Sequence, residues 1–72
     1  MDKITELIIN SQESQLEIAN EYHDILTSFY NMVTNPPHAN KVLEDEVLKQ
    51  LTYSTQKIDE LTMRVMKLKG II

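Results

Sequence analysis

The chain has 72 residues, no cysteine, one glycine, two prolines and a formal net charge of −4. A chain this short forms at most one small domain and buries only about 60% of the surface its unfolded form exposes; without cysteine it lacks both a disulfide framework and a thiolate metal site. Nucleic acid is not an expected ligand, because phosphate binding needs a basic stripe that displaces counterions, and here the bases alternate with acids.

The N-terminal stretch "MDKITELIIN" holds an apolar run too short for a signal peptide or a membrane span, and no small-residue cleavage site follows it. A cytoplasmic chain without membrane insertion is therefore expected. A helix is predicted over about residues 2–33. Alternate steps of four and three from Ile4 meet Ile8, Ser11, Gln15, Ile18, Tyr22, Ile25, Phe29 and Met32, a heptad seam with one polar gap. Ser14 and Glu17 fit a capping box that could interrupt the helix near residues 10–15. The apolar register agrees on both sides of the gap, which favours a continuous helix.

A second stripe runs along the same helix. Ile9, Leu16, His23 and Tyr30 recur every seven residues and, with Ala19, Leu26 and Val33, lie about a quarter turn or more from the first stripe. One neighbouring helix cannot cover both. The stripe from Ile9 to Tyr30 is therefore expected to meet a partner, with Leu16, Leu26 and Tyr30 as its anchors. Glu6, Glu13, Glu17 and Asp24 cluster opposite the first seam on a solvated face.

The prolines fall together in "TNPPHAN", residues 34–40, where a helix cannot continue with its hydrogen bonds intact. Beyond this bend a second helix is predicted over about 41–69, capped either by Asn35 or by Asn40. Its seam runs through Val47, Leu51, Ser54, Ile58, Leu61, Val65, Leu68 and Ile72, and Lys67 and Lys69 before Gly70 suit its C-terminal end. Ion pairs are expected from Asp45 to Lys49 and from Glu60 to Arg64. A weaker second face combines Leu48, Thr55, Thr62 and Met66, with Met63 further round; Leu48, Met63 and Met66 join the expected partner-binding set. The fold class is thus all-α, an antiparallel two-helix, coiled-coil-like hairpin completed by oligomerisation or a partner.

Residues suited to catalysis are sparse. His23 falls on the expected contact stripe and His38 in the bend, neither near a second ligand at metal-binding spacing. No glycine-rich phosphate loop is present, and no serine or threonine has an evident base partner. A non-enzymatic protein-binding role, with no cofactor or metal, is the expectation.

The order "ITELIINSQESQLEIANEYHDILTSFYNMV", bend, "VLEDEVLKQLTYSTQKIDELTMRVMKL" resembles the small co-chaperones of type III secretion systems, of the EscE/YscE type, over almost the whole chain. That resemblance implies a bacterial cytoplasmic protein that docks a helix face onto a tetratricopeptide-like chaperone. It further implies that the complex keeps the needle subunit soluble and unpolymerised before export. Two alternatives share the layout: a needle- or rod-like structural subunit, and a homo-oligomeric four-helix bundle formed by the isolated chain.

Overall fold

A computed structural model describes residues 2–71. Helix α1 spans Lys3–Val33 and helix α2 spans Lys41–Lys69, and the two pack antiparallel as a hairpin 54 Å long and 17 by 14 Å in cross-section. Ile72, the last expected seam position, lies outside the described residues.

Each helix end has a local cause. The Asp2 carboxylate accepts the Thr5 backbone N–H at 2.7 Å and caps α1. The helix then runs unbroken through residues 10–17. At its far end the Thr34 backbone N–H and hydroxyl both donate to the Tyr30 carbonyl, and the Asn35 amide donates to the Asn31 carbonyl at 2.6 Å. Asn35 thus closes α1, while Asn40 opens α2 by accepting the Leu43 N–H at 3.1 Å. The Asn40 N–H in turn donates to the Val33 carbonyl at 2.9 Å, which ties the bend shut. Gly70 ends α2 with φ at 77°, a left-handed conformation that glycine adopts without a side-chain penalty.

On α2 the expected seam is the packed one: Ser54, Leu61 and Val65 are buried, and Val47, Leu51, Ile58 and Leu68 are partly covered. On α1 the two stripes exchange roles. Ile9 and Leu26 are buried, with Leu16, Ala19, His23, Tyr30 and Val33 partly covered, so the stripe expected to await a partner is the one that packs on α2. The expected seam, Ile4 to Met32, faces outward.

The reason lies in the residues that are not large and apolar. The His23 ring nitrogen Nδ1 meets the buried Ser54 hydroxyl at 3.2 Å, giving the one polar seam residue of central α2 a partner. Glu13 reaches Lys69 across the helices at 2.6 Å. Turning the other stripe inward would bury both Tyr22 and Phe29 and leave Ser54 without that partner. The price is Gln12, whose buried Oε1 has no hydrogen-bond partner.

Candidate docking face

Both α1 stripes follow heptad spacing, so a wide sector of the helix is apolar and α2 covers only part of it. The uncovered part contains Ile4, Ile8, Ile18, Tyr22, Ile25, Phe29 and Met32, all exposed, with Ile18 at 65%. From Ile4 to Met32 the stripe is about 42 Å long at 1.5 Å per residue. Ser11 and Gln15 interrupt it, as the spacing predicts.

Two hollows mark where this face meets α2. Near the bend, Phe29, Met32, Pro37, Leu43 and Val47 line a cleft of about 560 Å³. A shallower one of about 260 Å³ lies between Ile18 and Tyr22 on one side and Lys57 and Leu61 on the other. The face therefore has an apolar α1 side and a mixed α2 side. The α2 rim is basic with an acid between: Glu60 pairs with Arg64 and, at 3.9 Å, with Lys57. Beside the other edge of the stripe, Glu17, Glu21 and Asp24 lie three or four residues apart on α1 and form an acidic patch.

The expected partner-binding residues are thus divided. Ile9, Leu16, Ala19, His23, Leu26 and Tyr30 fall on the intramolecular seam, Ile9 and Leu26 buried and the other four partly covered. Leu48 and Met63 are exposed and Met66 is partly covered. By heptad position these three lie towards the Glu13–Lys69 edge and the back of α2, away from the open α1 stripe. The residues available for docking were read in the sequence as core.

Charged groups elsewhere act locally. Lys41 pairs with Asp45 at 3.4 Å and Glu44 at 3.5 Å, and its hydrogen bond to Asp45 raises its pKa above the ordinary value. Asp45 is thereby paired with Lys41, where the sequence suggested Lys49; the Glu60–Arg64 pair forms as expected. The Thr5 backbone N–H holds the Asp2 carboxyl below its ordinary pKa.

Among the described residues no group of three or more His, Asp or Glu is placed to hold a metal ion, and no helix is long and apolar enough to cross a membrane. No protein-family model, curated protein or solved structure matches this chain.

Proposed function

We propose that this protein is a non-enzymatic co-chaperone of a type III secretion system. In this reading it works in the bacterial cytoplasm, binds a tetratricopeptide-like chaperone through the outward stripe of α1, and so helps keep the needle subunit soluble and unpolymerised before export. The observation that carries the proposal is the 42 Å apolar face left open on an otherwise closed hairpin. Helical-repeat proteins present extended concave surfaces built from stacked helix pairs, and an amphipathic helix docks into such a surface through side chains at heptad spacing. Ile18, Ile25 and Phe29 are the central anchors. Burying each would contribute about 1.5–3 kcal/mol, from which the ordering cost of association is subtracted.

The test is affinity co-purification of the tagged chain from its native cell at moderate salt, with mass spectrometry of what remains bound, beside an Ile18→Asp variant. A helical-repeat chaperone and a small secreted helical subunit arriving together, and lost with Ile18→Asp, is the expected result. Recovery of neither with the wild-type chain, or equal recovery with the variant, would remove the co-chaperone reading or its docking face respectively.

A further inference from the structure

We infer that, in the absence of any other partner, a second copy of this chain covers the open face of α1, forming a dimer in which the two α1 helices lie side by side and parallel about a two-fold axis parallel to the helices. The inference needs no chaperone and is tested on the purified chain alone.

Three observations lead to the second copy. The first is exposure: Ile4, Ile18, Ile25 and Met32 are each more than half exposed along one side of α1, an apolar stripe of a kind that stable monomers seldom leave to water. The second is self-matching. Seam positions Ile4, Ile8, Ile18, Tyr22, Ile25, Phe29 and Met32 follow the heptad steps of a coiled-coil strand, and in a parallel, in-register pair each meets its own counterpart, with Gln15 beside Gln15. Aligning the polar gaps leaves no apolar residue opposite a polar one.

The third observation, charge, selects the axis. The two α1 helices can pair about a two-fold axis either along the helices or across them. Across them, α1 lies over α1 with acidic flank against acidic flank. Along them, the acidic flank of each α1 lies beside the basic α2 rim of the other copy. The heights agree as well. His23 and Ser54 are level, since they touch. Glu21 lies two residues from His23 and Lys57 three residues from Ser54 in the same direction, so their heights differ by only about 1.5 Å. An axis parallel to the helices preserves height, which sets Glu21 of one copy beside Lys57 of the other. Charge arranged in this way fixes orientation more than it adds affinity.

The chain has no cysteine, so single cysteines report the geometry directly. In separate Ile8→Cys, Ile18→Cys and Ile25→Cys variants, mild oxidation should give a disulfide-linked dimer at every position, because a parallel seam brings each residue to its own copy. Cross-linking at only one of the three would show an antiparallel seam and overturn the proposed axis. Sedimentation of the wild-type chain should show a monomer–dimer equilibrium. A monomer at all concentrations up to about 1 mM, the weak limit of measurable association, would overturn the second copy itself.

Glu21→Lys should raise the dimer Kd about tenfold through two symmetry-related repulsions, and adding Lys57→Glu to the same chain should bring it back. Equal Kd for wild type, single and double variants would overturn the charge pairing. Far-UV circular dichroism of each monomer checks that the hairpin itself persists.

Discussion

Leu26 and Ile25 are neighbours of similar size on one helix, and the structure assigns them opposite fates. Leu26 is 6% exposed in the seam and Ile25 is 52% exposed on the open face. Truncating Leu26 to alanine removes three buried carbons, about 2.4 kcal/mol at ~0.8 kcal/mol each. A two-helix seam can collapse around the gap, so the total belongs at the low end of the ~2–5 kcal/mol range for such changes. Ile25→Ala forfeits about half the transfer energy, roughly 1 kcal/mol, and recovers several tenths because alanine is the better helix former. The expected losses are therefore about 2–3 kcal/mol and at most about 0.5–1 kcal/mol. A 72-residue chain has only about 4–11 kcal/mol in all, so Leu26→Ala should shift the midpoint visibly. Urea unfolding followed by far-UV circular dichroism measures both, at the lowest workable concentration so that self-association does not contribute. If Ile25→Ala cost as much as Leu26→Ala under those conditions, the assignment of the two stripes would be reversed.

Gln12→Leu replaces a buried amide oxygen without a partner by an apolar group, and should raise stability by about 1–3 kcal/mol in the same urea assay. Asn40→Ala removes the cap of α2 and should cost about 1 kcal/mol, whereas Asn35→Ala leaves that cap intact; a larger loss at Asn35 would contradict the capping geometry. The Asp2 carboxyl is lowered from its ordinary 3.8 by the Thr5 N–H. Its contribution to the first turn is thus fully present above that ordinary value and disappears as pH falls through the lower folded one. Amide exchange at Thr5, followed by NMR down the acid limb, should show the turn opening there, and an Asp2→Asn variant should lack the transition.

The all-helical hairpin, its bend and the packed face of α2 were legible in the sequence because each rests on a local or periodic signal. Pro36 and Pro37 force the break, and Val47 to Leu68 form a heptad row on α2 that is apolar except at Ser54. The choice between the stripes of α1 was not legible by apolar content. Both repeat every seven residues, and the outward one holds the bulkier side chains. The deciding signals were polar groups that find each other only across the folded seam, His23 with Ser54 and Glu13 with Lys69. Ser54 in the row of α2 was the available clue: a buried hydroxyl needs a partner, and His23 is the α1 residue that supplies one. Consequently the stripe expected to be exposed is the one that packs, and the expected seam is the one left open.

The His23–Ser54 contact also governs whether the two helices can slide. A shift of α2 by one heptad would set His23 against Val47 or Leu61 and leave the imidazole and the buried Ser54 hydroxyl without each other, while most other apolar positions still found an apolar neighbour. Hydrophobic matching is nearly indifferent to such a slide; the polar pairs His23–Ser54 and Glu13–Lys69 are not. Alignment is thus fixed from the middle of the hairpin, and the bend has only to be long enough to let it happen. Residues 34–40 are then a tether, open to change in length and composition so long as Asn40 keeps its cap.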